Sequence, residues 1–231
     1  MEQIDTGTED LLGRIDEGVA VLTLNRPDRR NALSTPMLSA LARVLAEVEV
    51  DDDVGCVVLT GAGRAFCAGG DVKGMAGDAG SGGREPVEGR VSYDATVHRQ
   101  RLSQRQTAGR LWEMPKPTIA AMPGAAAGAG LSLALACDLR YAASGAILTT
   151  AFAKVGFAGD YGGTWFLTRL VGSGKARELY YFSDRLSAEE AEELGVVNAV
   201  FAPDELEQQV QERARRLASG PTVAYRYMKE T

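Results

Sequence analysis

Two stretches of small residues hold the chain's clearest chemical potential: Gly61-Ala-Gly-Arg-Ala-Phe-Cys-Ala-Gly-Gly-Asp71 and Pro123-Gly-Ala-Ala-Ala-Gly-Ala-Gly130. Each follows a short apolar run, Cys56–Thr60 and Thr118–Met122. Small side chains let backbone N–H groups approach a ligand closely. Two such donors aimed at one carbonyl oxygen would form an oxyanion hole, a large term in acyl-transfer and enolate chemistry. Each loop reads equally well as a tight turn after a strand. A carboxylate, Asp160, lies in a third such stretch, Phe157-Ala-Gly-Asp-Tyr-Gly-Gly163, which is also good turn chemistry.

Other catalytic patterns fail residue by residue. Gly61-Ala-Gly63 begins like a dinucleotide fingerprint, but Phe66 occupies the third glycine position. Gly172-Ser-Gly-Lys175 resembles part of a phosphate loop, yet Arg169 replaces its first glycine and Ala176 its Ser/Thr. A Ser-His-Asp hydrolase would need His98, and no Gly-x-Ser-x-Gly elbow is present.

The whole chain bounds these readings. At 231 residues and 45% hydrophobic it suits one globular domain with a sizeable core. A net charge of −6 opposes nucleic-acid binding, which wants a basic face. No apolar run approaches the roughly 20 residues of a membrane helix, and Met-Glu-Gln-Ile-Asp lacks a signal-peptide pattern. The three cysteines, Cys56, Cys67 and Cys137, show no CxxC spacing and fit reduced thiols in a cytoplasm. With His98 the only histidine, no metal site is expected.

The elements that must position the loops alternate. Strands are predicted at Val19–Leu24, Gly55–Thr60, Lys116–Met122, Asp138–Ala143, Ala146–Phe152 and Val196–Phe201. Ser34 caps a helix over Thr35–Val50, with Pro36 in its first turn and Met37, Leu38, Leu41, Val44, Leu45 and Val48 at helical spacing. Further helices are predicted at Thr96–Trp112, Gly128–Cys137, Thr164–Val171, Gly174–Phe182, Ala188–Leu194 and about Asp204–Ala218. Gly74–Gly89, with six glycines, reads as a mobile loop. The alternation favours an α/β domain.

The order of the pieces carries a resemblance. Asn25-Arg-Pro…Asn31-Ala-Leu, Ala65-Phe-Cys-Ala-Gly-Gly-Asp-Val-Lys73, Pro117-Thr-Ile-Ala-Ala-Met-Pro-Gly, Asp138-Leu-Arg-Tyr-Ala, Gly162-Gly-Thr-Trp-Phe-Leu-Thr-Arg-Leu-Val-Gly172 and Ala191-Glu-Glu-Leu-Gly-Val-Val-Asn198 resemble the crotonase, or enoyl-CoA hydratase/isomerase, superfamily. The likeness runs from about Val19 through nearly the whole chain. It implies a spiral of ββα units over 1–200 and the start of a C-terminal helical region over 201–231. The family's trimerisation helices usually continue beyond Pro221-Thr-Val-Ala, so the tail is expected to be incomplete. It also implies a homotrimer or homohexamer acting on an acyl-CoA thioester, with coenzyme A entering as part of the substrate and no other cofactor.

Carried onto this chain, the family's oxyanion donors are the backbone N–H groups of Gly70 and Ala129. Ala68 falls where the backbone meets adenine, and Lys73 where a lysine approaches the nucleotide phosphates. Asp71 and Val72 lie in the same binding loop, and Arg26 or Arg29 are candidates to add to the phosphate site. Taken alone, Lys73 reads first as a solvated surface lysine.

The departures from the family pattern point away from hydration. The two hydratase glutamates correspond to Ser132 and Phe152, neither of which can activate water, although Phe152 can still line the substrate pocket. Asp160 falls where dienoyl-CoA and ring-epoxide-CoA isomerases place a catalytic aspartate and 4-chlorobenzoyl-CoA dehalogenase its nucleophile. The resemblance therefore implies isomerisation through a thioester enolate held by Gly70 and Ala129. Asp160 would remove a proton on the β,γ side and return one elsewhere. Phe152, Phe157, Tyr161 and Trp165 are candidates to enclose it and raise its pKa, or are simply core. A nucleophilic Asp160 in a hydrolase or dehalogenase, a hydratase, and a silent acyl-CoA binder stay open as alternatives.

Overall fold

The computed structural model of the chain describes residues 1–70 and 93–230. Its large sheet has seven strands: β1 (Glu2–Ile4), β2 (Leu11–Asp16), β3 (Val19–Leu24), β4 (Cys56–Gly61), β6 (Thr118–Met122), β8 (Leu139–Ala143) and β11 (Ala199–Phe201), side by side in that order. The pairings from β1 to β3 are antiparallel, and those from β3 to β11 are parallel. A smaller sheet orders β10 (Leu186–Ser187), β9 (Ile147–Thr149), β7 (Ala125–Ala127) and β5 (Ala65–Cys67).

Three times the chain gives one strand to each sheet and then a helix. After β4 and β5, beyond the undescribed residues, comes α2 (Tyr93–Gln104), which continues through a π turn (Arg105–Gly109) into α3 (Arg110–Glu113). After β6 and β7 comes α4 (Ala129–Ala136), after β8 and β9 comes α5 (Gly163–Phe182), and a short α6 (Ala188–Glu193) follows β10. This is a ββα spiral, and its short β-to-β connections bring the two glycine-alanine loops together.

The parallel strands are apolar on both faces, as covered parallel sheets require. Ala20, Leu22, Val57, Leu59, Ala120 and Met122 join the main core with α1 (Thr35–Val50) and α4. Val19, Val21, Cys56, Val58, Ile119 and Ala121 face a second core beneath α7 (Leu206–Ala218), which contributes Leu206, Val210 and Ala214. In α1, Ser34 Oγ accepts from the Met37 N–H at 3.2 Å, so the predicted cap is realised.

Several expected boundaries shift. The last parallel strand is only Ala199–Phe201. The strand expected over Ala146–Phe152 ends at Thr149, because Ala151 takes φ +59° and turns the backbone away. Lys116 lies outside β6, its ammonium instead bonded to the carbonyls of Val48 and Asp51. The two helices predicted on either side of Gly172 abut there, where φ +77° and ψ 162° interrupt the helical backbone of α5.

Candidate active site

The first loop is braced from below by a buried amide. Asn31, fully buried, donates from Nδ2 to the carbonyls of Ala62 (3.0 Å) and Ala65 (2.7 Å), and its Oδ1 accepts from the Arg26 N–H. The residues on either side of it pair with the loop: Ala68 N–H donates to Arg30 O and Leu33 N–H to Gly69 O. Gly70 completes a parallel bridge with Leu33. Its own N–H makes no hydrogen bond among the described residues.

The second loop meets the first at the start of α4. Gly128 (φ +52°, ψ −126°) caps this helix, so Ala129 is its first residue and its N–H is one of the donors a helix cannot satisfy internally. Glycine is required where the loops touch. A Cβ on Gly69 would lie 2.9 Å from Ala127 O and 3.3 Å from Ala129 N, and one on Gly130 would strike the Cys67 carbonyl. Gly70 and Ala129, from different spiral turns, therefore line one cavity of about 520 Å³.

Asp160 lines the same cavity. It begins a tight turn in which Gly163 N–H donates to Asp160 O at 3.0 Å, with φ positive at both Tyr161 (+48°) and Gly162 (+73°). The backbone alone closes this turn. The side chain does not form the Asx turn its sequence permits, and Asp160 Oδ1 is buried with no hydrogen-bond partner. Burial pushes its carboxyl up to about 6 from an ordinary value near 3.8. An unpartnered carboxylate in an apolar cavity is suited to take a proton or attack a carbon.

The remaining walls are mostly apolar: Phe152, Val155, Phe157, Ala158 and Ala151 face the space, with Gln100 of α2 as the other polar side chain among the described lining residues. Sequence reasoning did not find Gln100, whose helix carries no motif. Ser132 does not reach the cavity. It is 1% exposed, bonds back to Gly128 O at 3.3 Å and lies beside the Tyr180 hydroxyl.

Among the other candidates, Ala68 lines the cavity. Arg26 is committed to Ala32 O (2.7 Å) and approaches Asp10, while Arg29 is exposed on the Pro27–Arg29 turn. Asp71, Val72, Lys73 and the glycine-rich 74–89 segment lie outside the described residues. Of the aromatics expected to enclose Asp160, Phe152 and Phe157 do so. Tyr161 turns instead toward Ser103, and Trp165 packs edge-on to Trp112 and Phe166 beneath the Arg169 guanidinium. Tyr161 joins the main core, whereas Trp165 remains 45% exposed. His98 is exposed on α2 and is not among the lining residues. No group of three or more His, Cys, Asp or Glu able to hold a metal occurs among the described residues. None of their helices is long and apolar enough to cross a membrane.

Comparison with known proteins agrees with this architecture. The chain is 39% identical over 96% of its length to 1,2-epoxyphenylacetyl-CoA isomerase of Escherichia coli, covering 81% of that protein. It is 37% identical over 89% of its length to 4-chlorobenzoyl coenzyme A dehalogenase-2 of an Arthrobacter species, covering 71% of it. The crystal structure of an enoyl-CoA hydratase from Bacillus anthracis superposes with a TM-score of 0.85 at 34% identity, covering 96% of this chain and 81% of that one. The family model described as enoyl-CoA hydratase/isomerase matches residues 14–231, and the chain belongs to that family of acyl-CoA enzymes.

Proposed function

We propose that the protein isomerises the double bond of an enoyl-CoA thioester, with Asp160 as the single acid/base. The carrying observation is the buried, unpartnered Oδ1 of Asp160 in the cavity that Gly70 and Ala129 also line. A proton leaves most readily from the carbon next to the thioester carbonyl, because only that carbanion delocalises onto the oxygen. The Gly70 and Ala129 N–H groups donate to that oxygen as its charge grows. Asp160 takes the proton and returns it at the γ carbon, and the double bond moves into conjugation. A carboxyl near 6 is mostly ionised at pH 7 yet still basic enough to accept a carbon acid's proton.

Ser132 and Phe152 at the hydratase glutamate positions support isomerisation over hydration. Ser132 is buried away from the cavity and Phe152 presents an aromatic ring to it. A nucleophilic Asp160 is the second reading, favoured by the likeness to the Arthrobacter dehalogenase. Against it, no histidine lines the cavity among the described residues to activate the water that would release an acyl-enzyme. By family resemblance we also propose coenzyme A binding along Ala68 to Lys73, and a homotrimer or homohexamer.

The test is turnover of a 3-enoyl-CoA in deuterated water. The expected product is the conjugated ester, carrying deuterium only to the extent that the proton on Asp160 exchanges with solvent before its return, and its formation should be slowed on the order of 100- to 10,000-fold in Asp160→Asn. Accumulation of a hydroxyacyl-CoA, or chloride release from 4-chlorobenzoyl-CoA, would assign hydration or the nucleophilic route instead.

A further inference from the structure

The proposed mechanism leaves two hydroxyls beneath the Asp160 turn unused. Ser132, one turn beyond Ala129 in α4, donates its hydroxyl proton to Gly128 O at 3.3 Å. The Tyr180 hydroxyl, from the last turn of α5, hydrogen-bonds to the same serine. Both meet at Gly163, whose N–H closes the turn on Asp160 O at 3.0 Å. A Cβ on Gly163 would collide with Ser132 Oγ and stand 2.6 Å from Tyr180 Oη. The other end of the turn is seated on the same tyrosine: a Cβ on Gly159, at φ +108°, would lie 3.2 Å from the Tyr180 ring. That ring in turn stacks on Phe152 of the cavity wall, with centroids 6.0 Å apart and planes 6° apart.

The path of the chain brings these groups together. Gly163 opens α5 and Tyr180 nearly ends it, and an unbroken helix would hold them about 25 Å apart. The break at Gly172 folds the second half back, so the hydroxyl returns to the first residue of its own helix. The turn needs such a seat. Tyr161 holds φ +48°, a conformation a bulky side chain keeps only where its surroundings impose it. Ser132 is 1% exposed and Gly163 is buried, so the two hydroxyls satisfy each other away from solvent.

We propose that Tyr180 and Ser132 are positioning residues: they tie the turn that aims the Asp160 carboxylate to the helix that presents the Ala129 N–H, and so fix base and oxyanion donor relative to each other. This rests on the reading of Asp160 as the base. Neither side chain is among those lining the cavity, so both act through the turn and not on the substrate. The leverage is geometric, since a reacting group displaced by about 1 Å loses on the order of 100-fold in rate.

The test is steady-state isomerisation of a 3-enoyl-CoA by Tyr180→Phe, Ser132→Ala and the double variant, beside calorimetric binding of a saturated acyl-CoA, which cannot react. Tyr180→Phe keeps the ring on Phe152, and in Ser132→Ala the backbone N–H still bonds Gly128 O at 3.0 Å, so both should fold. Each is expected to lower kcat about 10- to 100-fold while leaving affinity for the saturated thioester nearly unchanged. The double variant should lose little more than either single one, because both break the same tie. A lower Tm with wild-type kcat, equal losses in kcat and affinity, or losses that multiply in the double variant would overturn the positioning role and leave Asp160 as base. Wild-type turnover by Asp160→Asn would overturn the base itself and this proposal with it.

Discussion

Asp160 shows how one side chain couples activity to stability in opposite senses. The mechanism needs the ionised carboxylate, so kcat/KM for a 3-enoyl-CoA should rise with pH and level off above about 6. That limb should disappear in a variant whose residual activity no longer uses this group. The folded state, however, binds the Asp160 proton more tightly than the unfolded chain, whose carboxyl titrates near 3.8. Between those values the native state holds more protons, so this group's contribution to stability declines as pH rises from about 4 through 6. Thermal melts should therefore show Asp160→Asn with a higher Tm than wild type at pH 7 and little difference near pH 3. A lower Tm at pH 7 would mean that the carboxylate has a stabilising partner. The sequence showed Asp160 as a turn residue with a second possible use. The turn exists, but Gly163 N–H closes it on the backbone carbonyl and leaves the carboxyl to the cavity.

At the scale of elements, the oxyanion loops depend on a brace whose role the Asn31-Ala-Leu motif does not show in sequence. Asn31 joins the chain after β3 to the loop after β4, and that chain in turn holds Gly69 through Leu33. Asn31→Leu would leave the carbonyls of Ala62 and Ala65 and the Arg26 N–H without this partner, costing roughly 2–4 kcal/mol in denaturant melts. Because Gly70 would lose its support, kcat should fall more than KM rises. An unchanged kcat in the folded variant would sink the positioning argument. Helical elements were legible where apolar residues recur with the helical period, as in Thr35–Val50, and where Gly172 interrupts it. The strands Ala65–Cys67 and Ala125–Ala127 were not, since three residues are too few to show an alternation. Both flank the site, so the loops could be recognised from sequence while their meeting could not. Their contact is set by β5 pairing with β7 and by glycines at 69 and 130 that let backbones touch.

For the whole molecule, the open question is what holds the last helix, α8 (Thr222–Lys229), and what its outer face does. None of its residues is buried, so apolar packing within the chain is a weak tether. The anchor is polar. Lys229 Nζ donates to the carbonyls of Leu111 and Lys116 at 3.0 Å and to Asp138 Oδ2 at 2.8 Å, with only 12% of its side chain exposed. Lys229→Met should cost about 1–3 kcal/mol, less than a fully buried pair because Asp138 keeps the Thr118 N–H and hydroxyl as partners. Pinned this way, α8 displays Val223 and Tyr227 one turn apart, 70% and 61% exposed. Exposed apolar side chains on successive turns of one helix face favour association over solvation. The proposed trimer or hexamer would use that face. Sedimentation at micromolar protein should then show a species of three subunits or more, and Val223→Glu with Tyr227→Glu should shift it toward monomer without lowering helical content. Lys229→Met should weaken the assembly too, because the face is presented only while its anchor holds. A wild-type monomer at that concentration would leave these side chains without an assembly role and refute the oligomeric proposal, while leaving the chemistry at Asp160 untouched.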